Sequence, residues 1–432
     1  MPATNLNQSL NAVAAATPEG ETIALVARQP VYGRAMNVVA YELQYADGAQ
    51  DTPGGASRDK TLRMLADAAL DIGLDRLAGA LPVYIRYPRE LLAADPPLSV
   101  QAGRVIIEVP GDLPPEAAIL GGIRALRERG HYIALDDYSP RLTHPEYLDL
   151  VDAVKVSLPD FSADQLARLV PDLIQRGLRL IAKSVTTIEQ FEQASQAGFE
   201  SFQGDFLQRP EQLHAQRAPR NALATMRLVA TLQSAECTIR EVEHLIAQDV
   251  TMSYRVLRCI NSSFYGLPHK VDSIHQALVL LGMDTLRQLC LLAALQQLDN
   301  SPPSLFVTAM ARAHMCEQLA RLAGESPTAP YFITGLFSML DVLMGMPMAS
   351  IVDELPLAPI VENALVAGEG DAGAALACAR AYESATWVQA RYRDIPPHLI
   401  RAAYLDAVYG AEQALLNMQP SGAGAAQRPG RR

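Results

Sequence analysis

The chain is short of positive charge. It holds 36 lysines and arginines against 47 aspartates and glutamates, a formal net charge of −11. General binders of nucleic acid or anionic lipid need a net positive face, so neither partner is expected. Cysteine is scarce and scattered. Cys237, Cys259, Cys290, Cys316 and Cys378 are odd in number and show no CxxC spacing. That excludes a disulfide framework and a cysteine zinc site, and reads as buried thiols in a reducing compartment. No apolar run approaches the ~18–20 residues that span a bilayer. The opening stretch has no basic segment before an apolar core, so no signal peptide is read and a cytoplasmic location is expected. No serine or cysteine nucleophile sits in a local signature, and no glycine-rich phosphate loop is present. The dipeptide His-Asp does not occur anywhere.

What is present fills two domains. A length of 432 residues exceeds one ordinary core, and 49% apolar with 19% charged residues is a globular composition. The character changes near residue 210. Residues 1–20 and 411–432 read as disordered tails, 21–208 as a barrel, 209–221 as a linker and 222–410 as a helical domain. In the first half eight β-rich runs alternate with helical stretches, from "TIALVARQP" to "SFQGDF". Alternation predicts parallel pairing with crossovers, and "VYGRAM" predicts a hairpin between the first two strands. The fold class is therefore α/β plus all-α: a TIM-like (β/α)8 barrel with an antiparallel first strand, then a helical bundle. A doubly wound open sheet fits the same periodicity. In the second half the apolar period is helical, as in "SIHQALVLLG", where Gly282 is placed to end the helix.

Chemistry in such a barrel collects at the C-terminal strand ends. The strands deliver Glu42, Arg86, Glu108, Asp136 with Asp137, Lys155, Lys183 and then Thr186, and Gln203. Carboxylates from three strands on one rim suit hard divalent cations. Lys155 suits a phosphate or a polarised water.

These residues resemble an EAL domain, the barrel family that hydrolyses cyclic di-GMP with Mg²⁺ or Mn²⁺. "YELQY" stands at the signature glutamate with Glu42. "IALDDYS", "AVKVS" and "FQGDFLQRP" resemble later family segments, over about residues 22–210. The resemblance implies metal ligands at Glu42, Glu108, Asp136 and Asp137, with Lys155 and Gln203 beside them. It implies losses too. Arg86 stands at a ligand asparagine, Gly111 and Thr186 at acids, Lys183 at another acid, and Ala46 at an arginine that grips phosphate. An arginine inside the ligand shell disfavours a metal, so Arg86, Lys155 or both are expected to neutralise the aspartates.

The second half resembles the HDOD domain, a relative of HD-type phosphohydrolases without the metal dyad. "VLRCINSSFYG" and "SIHQALVLLGMDTLRQL" carry the likeness. Ser338 and Met339, in "GLFSMLDVL", stand where a working HD enzyme would have His-Asp, and neither suits a hard divalent ion. His314 reads as a hydrogen-bonded or solvated histidine, with a relic ligand as the alternative. Asn261 reads as bonding local backbone at a helix end, with a binding role as the alternative, and His269 and His275 flank the turn after it. "SMLDVLMGMPM" reads as core, with an adaptable contact face as the alternative.

The expectation is a non-catalytic bacterial signalling scaffold in cyclic di-GMP pathways of motility, pili or biofilm. It would contact signalling proteins through the helical half, with the barrel as a regulatory or oligomerisation module and no cofactor. The alternatives are a phosphodiesterase using Mg²⁺ or Mn²⁺, and a cyclic di-GMP receptor without hydrolysis.

Overall fold

The computed structural model describes residues 24–47, 74–93, 102–207 and 302–418, without 354 and 356, and the single positions 271, 276, 279 and 282. The expected linker, Asn261, His269, His275, Cys237, Cys259 and Cys290 lie outside the described residues.

The first half is a closed barrel in the order β1 to β8, which settles the choice against an open sheet. The strands are β1 (Ala24–Gly33), β2 (Val38–Asp47), β3 (Val83–Arg86), β4 (Val105–Pro110), β5 (Tyr132–Asp136), β6 (Ala153–Ser157), β7 (Arg179–Lys183) and β8 (Ser201–Phe202). β1 runs antiparallel to both β2 and β8, and the remaining neighbours are parallel. Helices α1 (Leu74–Ala78), α2 (Arg89–Leu92), α3 (Ala117–Glu128), α4 (Ala163–Gln175) and α5 (Ile188–Ala197) alternate with the strands. Ser162 caps α4 in a capping box with Gln165, and Thr187 caps α5.

The barrel interior is layered. Val31, Ala40, Tyr84, Ile106, Ala134, Ala153 and Ile181 form an apolar plug. Strand side chains repeat every second residue, so the next inward residue on each parallel strand lies one pleat nearer the mouth. Those residues are Glu42, Arg86, Glu108, Asp136, Lys155 and Lys183. An ionic layer therefore stands directly on the plug.

The second described half is helical: α6 (Pro303–Leu322), α7 (Ala329–Phe337), α8 (Leu340–Met344), α9 (Met348–Val352), α10 (Pro359–Val366), α11 (Gly370–Glu383) and α12 (Pro397–Met418). Gly282, the expected helix stop, has a left-handed φ of 82°. α6 packs on α7, α11 and α12. Gly335 permits the α6–α7 approach, since a Cβ there would stand 2.4 Å from the Arg312 carbonyl oxygen. Met339, Leu340 and Met344 are buried and Met346 and Met348 pack against the core, so this methionine run is core. Cys316 and Cys378 are buried free thiols. The last helix corrects the expected boundary at residue 410. It continues to Met418 because its later turns face β1 and α1, and Glu412 has partners there.

Among the described residues no helix is long and apolar enough to cross a membrane.

Candidate functional site

The ionic layer of the barrel divides into a deep group and a rim group. In the deep group Lys155 is fully buried. Its Nζ donates to Glu42 Oε2 at 2.5 Å and to Gln203 Oε1 at 3.3 Å, and it contacts Glu108 Oε1. It also stands 4.4 Å from the Tyr84 ring centroid. Gln203 Nε2 donates to Glu42 Oε2 and to Gln29 Oε1, both at 2.8 Å. Gln29 is thereby a member of the group that the sequence did not single out.

In the rim group Lys183 Nζ donates to Asp136 Oδ1 at 2.6 Å and to Asp137 Oδ1 at 2.7 Å. Arg86 Nη1 takes the other oxygens, Asp136 Oδ2 at 3.3 Å and Asp137 Oδ2 at 3.5 Å. Successive residues of a strand face opposite sides, yet both aspartates reach the same two cations. The reason is a left-handed turn: Asp137, just past the end of β5, has φ 50°. Aspartate tolerates that region better than most residues. Hydrogen bonds fix the turn, from Gly111 N to Asp136 O at 2.8 Å and from Tyr138 N to Lys155 O at 3.0 Å.

Burial and charge pull the carboxyl groups apart. Burial raises the pKa of Asp136, but Lys155 and Lys183, with a smaller contribution from Arg86, outweigh it and hold the group ionised. For Glu42 burial is likewise offset by Lys155, and the net shift is downward. For Glu108 burial and the neighbouring Glu42 outweigh Lys155 and push the pKa up to about 8. Burial would lower both lysines, but the carboxylates around them reverse it and both rise. Glu108 is thus pushed toward its protonated form, whereas Glu42 and Asp136 are held ionised by the cations around them.

Arg86 thus contacts the aspartates as expected. Lys155 does not touch them; it binds the glutamates one turn of charge deeper and acts on Asp136 through space. The direct partner is Lys183, which the sequence places at the mouth but does not mark as the counter-charge of the aspartates. Of the other marked positions, Gly111 packs its Cα under the aspartate turn, where a Cβ would stand 2.6 Å from Asp136 O. An acid does not fit there without moving that turn. Thr186 is turned to Gln190, donating to its Oε1 through N and Oγ1. Ala46 lies on β2 opposite Leu25.

As placed, the aspartate oxygens are engaged by cations of the chain itself. Lys183 takes the bridging position between the two aspartates, and Arg86 closes the other side. A guanidinium ~4 Å from a divalent ion repels it by about 8 kcal/mol at a protein's effective dielectric. Among the described residues no group of three or more His, Cys, Asp or Glu is placed to hold a metal.

A second cluster lies where α6, α7 and α11 meet. Arg312 is 5% exposed. Its Nε donates to Glu383 Oε2 at 2.8 Å, and its Nη1 to Ser338 Oγ at 3.3 Å and to Met339 Sδ at 3.0 Å. Arg380 Nη2 donates to Ser338 O at 3.2 Å. Ser338 and Met339, the positions set against a metal dyad, therefore surround a guanidinium. Sequence reading passed over Arg312, whose only signal is a charge inside the apolar stretch "TAMARAHMC". His314 packs edge-on to Phe332 and lies 4.0 Å from Glu317 on its own helix. Burial lowers its pKa, which keeps it neutral.

Residues 219–350 match the HDOD domain, as the motifs of the helical half led one to expect. The chain is 28% identical over 374 residues to the uncharacterized protein YuxH of Bacillus subtilis, covering 84% of this chain and 91% of that one. It is 29% identical over 368 residues to the cyclic di-GMP phosphodiesterase CdgJ of Vibrio cholerae, covering 84% of this chain and 85% of that one. Among solved structures, an EAL domain protein of Listeria monocytogenes matches 47% of this chain and 92% of its own at 15% identity and a TM-score of 0.33. Klebsiella pneumoniae BlrP1 with manganese and cyclic di-GMP matches 43% of this chain and 55% of its own at 20% identity and a TM-score of 0.35.

Proposed function

We propose that this chain is a non-catalytic regulator in cyclic di-GMP signalling. It acts through protein contacts of its helical half, and its barrel mouth is an internal ion-pair network in place of a metal centre. The observation that carries this reading is the Lys183 ammonium, 2.6 Å from Asp136 and 2.7 Å from Asp137, with Arg86 on their remaining oxygens. A metal site at that position needs the same oxygen atoms free. The filled Gly111 corner supports the same reading, since it leaves no room for a further acid. The pathway is supported by the relative named as a cyclic di-GMP phosphodiesterase.

That relative also favours a second reading, hydrolysis of cyclic di-GMP at the same mouth. Glu42, Glu108, Asp136 and Lys155 do converge there, and Lys183 and Arg86 would have to swing out to admit an ion. The test is direct. The full chain is incubated with cyclic di-GMP and Mg²⁺ or Mn²⁺, and linear dinucleotide is measured by chromatography. No product is expected. Product that disappears in Glu42→Ala overturns the non-catalytic reading.

A further inference from the structure

The two halves meet at a buried ion pair. α12 lies against β1 and α1. Glu412 on α12 pairs with Arg28 on β1, and Tyr41 on β2 donates to the same Glu412 Oε1 at 3.1 Å. The Arg28 guanidinium lies 4.0 Å from the centroid of the Tyr41 ring and donates to Leu77 O at 2.6 Å. Arg28 and Glu412 are both largely buried. A second pair, Arg76 with Asp406, joins α1 to α12 at a more exposed position.

The next residue on each strand faces the other way. Gln29 follows Arg28, Glu42 follows Tyr41, and Gln29 stands opposite Glu42 in the β1–β2 register. Those two point into the barrel, where both bind Gln203 and Glu42 binds Lys155. The hairpin is thus gripped by Glu412 on its outer face and by the deep ionic group on its inner face. A pleated strand cannot shift one face alone, because adjacent side chains share one backbone.

We propose that α12 is a conformational relay, in which the Glu412 clamp on Arg28 and Tyr41 sets where Glu42 and Gln29 stand in the barrel mouth. A displacement of α12 by a partner of the helical half moves the β1–β2 hairpin and loosens the Glu42–Lys155–Gln203 group. The relay rests on the packing of the two halves, and it holds whether or not the mouth performs any chemistry.

Hydrogen exchange of the full chain, read by mass spectrometry, tests it. Glu412→Gln should speed exchange about tenfold both in residues 38–47 and in residues 153–157, the strand that carries Lys155. Asp406→Asn breaks a pair on the same helix without touching the hairpin, and it should leave both segments unchanged. Tyr41→Phe removes one hydrogen bond and preserves the ring; exchange should rise at 38–47 by a smaller factor. The relay is overturned by faster exchange confined to 397–418 in Glu412→Gln. It is equally overturned by equal loosening of the barrel in Asp406→Asn, or by unchanged exchange at 38–47 in Tyr41→Phe.

Discussion

The barrel mouth and the α6–α7–α11 junction reach the same end from opposite sides. At the mouth the acidic residues survive, and Lys155, Lys183 and Arg86 have come to meet them. At the junction Ser338 and Met339 stand where HD-type enzymes carry ligands, and Arg312 fills the space between them and Glu383. Each region contains a resident cation from its own chain. The difference is solvent. Arg86 keeps 37% of its side-chain surface exposed, whereas Arg312 keeps 5%. Surviving carboxylates therefore say little about a metal until the lysines and arginines within reach have been placed, and sealed pairs should matter far more to stability than open ones.

That contrast sets the order of expected effects. The largest belongs to the sealed junction. Arg312→Met strands Glu383 in the interior and should cost about 3–5 kcal/mol in denaturant unfolding. Adding Glu383→Leu should recover most of that loss; no recovery would mean the arginine acts by packing alone and would break the comparison.

The deep barrel group comes next, through pH. The raised pKa of Glu108, about 8, favours its protonated form in the folded chain. Its contribution is fully present below the ordinary glutamate pKa and is lost as pH rises through about 8. Glu108→Gln keeps the neutral shape and should flatten this alkaline loss in a melting series. An unchanged pH profile would place the proton elsewhere.

The rim group is more open. Lys183→Met leaves two aspartates with Arg86 alone, and a loss of about 1–2 kcal/mol is expected in thermal unfolding. The opposite trend holds for Asp136, whose lowered pKa gives stability present above the ordinary aspartate pKa and lost as pH falls below it. Arg86→Ala should have the smallest effect, about 0.5 kcal/mol, because its pairs are long and partly solvated. A loss as large as that of Arg312→Met would erase the distinction between sealed and open sites.

Much of this was legible in the sequence, for stated reasons. Strand runs buried on both faces read as apolar segments, and a charged residue two places after each apolar layer marks the mouth, as in Ile106-x-Glu108 or Ala153-x-Lys155. The same rule points to Lys183 after Ile181, but substitution against a family motif drew attention to what Lys183 had replaced. Which lysine meets which acid was not legible, because it depends on the stagger of neighbouring strands and on the left-handed turn at Asp137. Nor was Arg312. Its partners Ser338 and Glu383 are 26 and 71 residues away along the chain, and only helix packing through Gly335 brings them together. The run of α12 past residue 410 escaped for the same reason, since Glu412 finds Arg28 across the fold.

The central claim is that Lys183 and Arg86 occupy the place a divalent ion would take. Manganese titration of the full chain, followed by electron paramagnetic resonance, measures it directly. The account predicts a free-ion signal undiminished by the wild-type chain up to about 1 mM Mn²⁺. It also predicts that Lys183→Ala with Arg86→Asn withdraws signal through Asp136. One equivalent bound by the wild-type chain and released by Asp136→Asn would contradict it.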